Sequence, residues 1–75
     1  MKLSQCVPGK TYRVKNIDLP EALAKRLEVL GMIENTPISV YNRKGRGILI
    51  VYVRGTRLAL GVNITENITV EGGDN

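Results

Sequence analysis

Hydrophobic positions divide the chain into segments of two different periods. Leu19, Leu23, Leu27 and Leu30 recur at spacings of four, four and three, which lines one face of a helix with leucine. Lys25 and Glu28 fall mainly on the other side. Asp18 is placed to accept the backbone N–H of Glu21, and Glu21 to return the bond as a capping box. Pro20 then lies in the first turn, where its missing donor does no harm. Glu21 and Lys25 stand four apart in the favoured order for an exposed ion pair. Gly31 is the expected left-handed cap at the C-terminal end.

Elsewhere the period is two. Tyr12 and Val14 alternate with Thr11, Arg13 and Lys15, so residues 10–17 read as a half-buried strand after the Pro8-Gly9 turn. Beyond the helix, Met32 and Ile33 lead through Glu34-Asn35-Thr36-Pro37 into a second strand, where Ile38, Val40 and Asn42 alternate with Ser39 and Tyr41. Residues 43–47, Arg-Lys-Gly-Arg-Gly, read as an exposed, mobile hairpin loop. Residues 48–53 form a third strand, joined through an Arg54-Gly55 turn to a fourth at 56–60. Residues 61–64 make a tight connection, at most one turn of helix, before a last strand at 67–71 and a disordered tail at 72–75. The expected fold is a single domain, residues 1–75, mainly β with one helix. Its sheet is strongly bent or closed into a small barrel, with the helix plugging one end.

Composition narrows the chemistry. A chain of 75 residues buries only about 60% of the surface its unfolded form exposes, so its stability is expected to be modest. Residues 1–6 lack the apolar centre of a signal peptide, and the longest apolar run, residues 48–53, is too short to cross a bilayer. These features favour a cytosolic protein without membrane insertion. The single cysteine, Cys6, has no internal partner and reads as a small buried hydrophobe. With no histidine and no pair of carboxylates at ligand spacing, the chain offers neither a dedicated zinc or iron site nor imidazole acid-base catalysis. Gly45-Arg46-Gly47 lacks the lysine-threonine step and following helix of a nucleotide-binding loop, and no hydroxyl has a base partner. The expectation is a protein that is not an enzyme and needs no cofactor.

The run Leu27-Glu28-Val29-Leu30-Gly31-Met32-Ile33, then Ile38-Ser39-Val40, then Gly55-Thr56-Arg57-Leu58-Ala59-Leu60 and Ile68-Thr69-Val70, resembles the FeoA family of ferrous iron transport proteins. Leu3, Gly9, Val14 and Ile17 fit the family's first strand. The resemblance implies an SH3-like barrel with its helix inserted after the first strand, and a cytoplasmic location. It also implies association with a FeoB-type membrane transporter through that protein's GTP-hydrolysing cytosolic region. Transition metal ion binding comes with the family as an attribute. Asn35 stands where a glycine is usual, and Gly61 where many relatives have arginine. The Pro/Gly-rich segment of the second hairpin is replaced by the basic residues 42–47.

The net charge of +4 favours acidic partners. Tyr41, Arg43, Lys44, Arg46, Tyr52, Arg54 and Arg57 are the candidate partner-binding residues. The cations could form one basic surface, and the tyrosines, with Tyr12, could give an aromatic one. Arg43 or Arg46 has the character of an arginine finger for a partner GTPase. The alternative function is a small basic barrel that binds nucleic acid. It is disfavoured because three tyrosines, with no tryptophan or phenylalanine, make a thin stacking platform. In residues 48–53, one apolar face must enter the core. The other lies beneath the helix or is an exposed patch for a partner or for weak self-association.

Overall fold

The computed structural model describes residues 1–74. A 3-10 turn at Leu3–Gln5 is followed by β1 (Thr11–Ile17), α1 (Glu21–Val29), β2 (Pro37–Lys44), β3 (Ile48–Val53), β4 (Thr56–Leu60), α2 (Val62–Thr65) and β5 (Ile68–Asp74). The helix after the first strand and the four strands that follow it are as the sequence pattern predicts. Two short helices, α1 and α2, replace the expected one. The strand β2 also runs through Arg43 and Lys44, which leaves only residues 45–47 as the hairpin loop. The last strand continues through Gly72 and Gly73 to Asp74, where the glycines suggested a tail; Asn75 lies outside the described residues.

The sheet is open, and this corrects the expectation of a closed barrel. Its five strands run β4-β3-β2-β1-β5, all neighbours antiparallel, and β4 does not pair with β5. A physical obstacle stands at the edge that closure would use. Val70 of β5 exchanges bonds with Met1, its N–H reaching the Met1 carbonyl at 2.7 Å and its carbonyl accepting from the Met1 ammonium at 2.9 Å. Lys2 bridges to Thr69 beside it. The N-terminus therefore occupies the outer edge of β5, and β4 is left as the uncovered margin of the sheet.

Sheet curvature comes from irregularities in register. The β1–β5 pairing shifts between Thr11 and Tyr12 and between Val14 and Asn16, and the β2–β3 pairing shifts between Val40 and Asn42. Each bulge bends its strand and raises the local twist. The inner face so formed carries Tyr12, Val14, Ile38, Val40, Leu49, Val51, Val53, Leu60, Ile68 and Val70, all buried. Leu3, Cys6, Leu27 and Met32 cover that layer from the 3-10 turn and from α1 and its exit. No buried side-chain polar atom among the described residues lacks a hydrogen-bond partner.

Helix α1 begins differently from the predicted capping box. Pro20 is the N-cap, with no side-chain cap bond, and the Ala24 N–H reaches the Pro20 carbonyl at 2.9 Å. The backbone N–H of Asp18 instead donates to the Asn67 carbonyl at 2.8 Å, so Asp18 ties the chain to the start of β5. The proline's fixed φ sets the helical entry on its own. At the other end the prediction holds. Gly31 has φ +101, its N–H bonds the Glu28 carbonyl, and the Met32 N–H bonds the Leu27 carbonyl, the paired bonds of a Schellman motif. That turn folds Met32 back beside Leu27, and both are buried. Leu19 and Leu23 are half-buried and Leu30 is 42% exposed, so the leucine stripe enters the core mainly through Leu27.

Candidate functional site

The outer face of the sheet gathers an aromatic and cationic cluster on β2, β3 and β4. The bulge after Val40 sets Tyr41 out of the β2–β3 ladder, where it is 54% exposed. Its ring meets that of Tyr52 edge to face, with centroids 5.6 Å apart and planes at 86°. Tyr52 pairs across β3 and β4 with Arg57, so both side chains leave the same face. The Arg57 guanidinium carbon lies 5.0 Å from the Tyr41 ring centroid and 5.2 Å from that of Tyr52. Its Nε donates to the Tyr52 hydroxyl at 3.1 Å. This bond raises the guanidinium pKa further above its ordinary value. One cation is thus held over two rings by contacts that leave it exposed to solvent.

The same face is the second apolar face of β3. Ile48 is 37% exposed, Ile50 and Tyr52 are half-buried, and Leu49, Val51 and Val53 point into the core. Helix α1 packs on the inner face with Leu27, so it does not lie over this one. Of the two alternatives for residues 48–53, the exposed patch is the one found.

The other candidate residues separate. Arg43 pairs with Leu49 in the ladder and turns toward the N-terminal segment, donating to the carbonyls of Ser4 at 2.8 Å and Cys6 at 2.7 Å. Its charge is committed inside the molecule. Lys44 and Arg46 are exposed at the β2–β3 hairpin. Arg54 lies at the opposite end of β3, in the turn to β4 with φ +50, its side chain against Gly31. Tyr12 is buried, and its hydroxyl accepts the Val7 N–H at 3.0 Å, which withdraws it from any aromatic surface.

The sequence carries one further signal, in its charge distribution. No aspartate or glutamate occurs between Asn35 and Thr65, whereas Arg43, Lys44, Arg46, Arg54 and Arg57 all fall there. In the fold this stretch is β2, β3, β4 and α2, so one half of the molecule is purely cationic. The two ion pairs among the described residues, Lys15 with Glu71 and Lys25 with Glu21, lie in the other half.

A cleft of about 190 Å³ between β1 and α1, lined by Ile17, Ala24, Met32 and Ile33 with Lys15, Glu28 and Glu34 at its rim, falls below the usual range for small-molecule sites, about 300–1,000 Å³. Among the described residues no group of three or more histidine, cysteine, aspartate or glutamate side chains could hold a metal ion. Cys6 is buried, and that burial pushes its thiol pKa up, away from the reactive thiolate. Among the described residues no helix is long and apolar enough to cross a membrane.

Comparison with known proteins agrees on one family. The family model described as the FeoA domain matches residues 1–72. No curated protein sequence matches the chain at a significant level. Among solved structures, an iron uptake regulatory protein, FeoA, is 27% identical over 93% of each chain, with a TM-score of 0.82. The FeoA protein of Chlorobium tepidum is 30% identical, covers 93% of this chain and 68% of its own, and has a TM-score of 0.87. The FeoA of Stenotrophomonas maltophilia, a prokaryotic SH3 domain protein solved with zinc, is 27% identical over 95% of this chain and 89% of its own, with a TM-score of 0.80. With its whole sheet and both helices inside the matched span apart from the last residues of β5, the chain belongs to the FeoA family of iron transport proteins and has that family's SH3-like fold.

Proposed function

We propose that this protein is a cytoplasmic, non-catalytic adaptor of ferrous iron transport that binds the cytosolic GTPase region of a FeoB-type transporter. The observation that carries the reading is the cluster of Tyr41, Tyr52 and Arg57 on a sheet face that α1 does not cover. Exposed aromatic and arginine side chains are enriched at the centres of protein interfaces. Arg57 is also held in place before a partner arrives, which lowers the entropy cost of fixing a long side chain on binding. Family membership supports the transport context, and the relative from Stenotrophomonas is described as a possible ferrous iron transport activating factor.

The adaptor acts by contact. Lys44 and Arg46 at one end of β3 and Arg54 at the other add to the positive field that draws an acidic surface, while Arg43 serves the chain's own N-terminal segment. Isothermal titration of the transporter's cytosolic GTPase domain with this protein tests the reading. Binding should weaken about tenfold or more in Tyr52→Ala and Arg57→Ala, the range expected of interface centres, and hold within about threefold in Lys25→Ala on the far side. Equal affinity for all these variants, or no binding by the wild type, would remove it.

A further inference from the structure

We infer that the uncovered edge of β4 takes an extended acidic segment of a partner protein as an added strand, a carboxylate of that segment meeting Arg57 and an adjacent apolar side chain packing on Leu58. This deepens the adaptor reading by naming the chemistry of the partner segment, and it does not depend on the transporter being that partner.

The two edges of the sheet differ. Met1 and Lys2 cover β5, whereas among the described residues no backbone bond from outside the sheet reaches Thr56–Leu60. Arg54 and Gly55 both have positive φ, +50 and +82, as a two-residue type I′ hairpin requires. Such a turn makes Val53 and Thr56 a hydrogen-bonded pair, and alternation then directs Thr56, Leu58 and Leu60 toward β3. Arg57 and Ala59 consequently direct their N–H and C=O groups away from the sheet. These are the groups an added strand would bond.

Edge strands are usually blunted by a bulge, a proline or an inward charge. The β3–β4 pairing runs without a shift from Leu49–Leu60 to Val53–Thr56, unlike the β1–β5 and β2–β3 pairings. Strand β4 contains no proline, and its one charge, Arg57, lies on the outer face over the tyrosines. Ala59, on the same face, is small enough for a second backbone to approach. Leu58 is half-buried on the inner side and packs against the core, so an apolar residue alongside would complete its cover.

Charge selects the occupant. The strand carries Arg57 and the turn before it Arg54, Lys44 and Arg46 stand at the β2–β3 hairpin, and no carboxylate occurs between Asn35 and Thr65. A second copy pairing β4 with β4 would bring like charges together, whereas an acidic segment meets opposite charge along the edge.

The test uses a capped seven-residue peptide alternating glutamate and valine, its lysine-valine counterpart, and amide hydrogen exchange read by NMR at about 0.15 M salt. The acidic peptide should slow exchange at the Arg57 and Ala59 amides by about tenfold or more, with little change at Leu58, which is already bonded to β3. The lysine peptide should do nothing. Ala59→Pro deletes an outward N–H without touching the ladder and should abolish the effect in a folded protein. Arg57→Glu should reverse the preference between peptides. Perturbation confined to residues 44–46, unchanged binding in Ala59→Pro, or protection of Arg57 and Ala59 that rises with protein concentration alone would overturn the assignment, the last in favour of a second copy. Peptide binding together with failure to bind the GTPase domain would sink only the transporter reading.

Discussion

Arg43 and Arg57 lie on opposite faces of one sheet, and their neighbours set their roles. Register decides this: Arg43 stands beside inward-facing Leu49, Arg57 beside outward-facing Tyr52. Arg43→Ala deletes both bonds to the N-terminal carbonyls and should lower stability by about 1 kcal/mol in urea unfolding, leaving partner affinity unchanged. Arg57→Ala should do the reverse. Sequence alone grouped the five cations as one basic surface and the tyrosines as another, because a run of charge carries no information about which face a bulged strand presents. Cys6 was legible as a packed hydrophobe, and burial gives it a testable titration. Its folded pKa is raised above an ordinary value of 9.0, so the native state holds the proton more tightly. Its contribution to stability is complete below that value and is lost as pH rises through the folded one. Urea midpoints measured from pH 7 to about 10.5 should fall more steeply for the wild type than for Cys6→Ala. Parallel curves would contradict this.

At the scale of elements, the end of α1 was legible and its beginning was not. Gly31 has a positive φ that few residues adopt, and a Cβ there would approach the Arg54 Cδ to 2.7 Å. Gly31→Ala should cost about 1–2 kcal/mol for the left-handed backbone alone, read as a lower urea midpoint with an unchanged slope. The Asp18–Glu21 capping box failed because the Asp18 N–H has a competing backbone partner, Asn67, too far along the chain to be visible to any local pattern. The leucine stripe was legible as helix but overstated as core. The Schellman turn brings Met32 over Leu27 and lets Leu30 stay 42% exposed. Strand positions were plain from alternation, whereas the bulge that exposes Tyr41 has no sequence mark of its own.

For the whole molecule, the order of elements along the chain and the family were accessible from sequence, and closure of the sheet was not. Whether β4 meets β5 depends on Met1 and Lys2 occupying the β5 edge, a contact between residues nearly a chain length apart. The open margin and the cationic half of the fold fall on the same strands, β2 to β4, so shape and charge both direct a partner there. Steering of this kind is sensitive to ionic strength, and association with an acidic partner should slow markedly between about 0.05 and 0.3 M salt in stopped-flow measurements. A salt-independent rate would mean that the charge asymmetry has no part in the encounter. The most direct measurement is an amide-resolved NMR titration of the labelled protein with the cytosolic GTPase domain of the FeoB-type transporter at near-physiological salt. Shifts clustered at Tyr41, Tyr52, Arg57 and Ala59 are the predicted result; shifts confined to α1 and β1, or none at high partner excess, would contradict it.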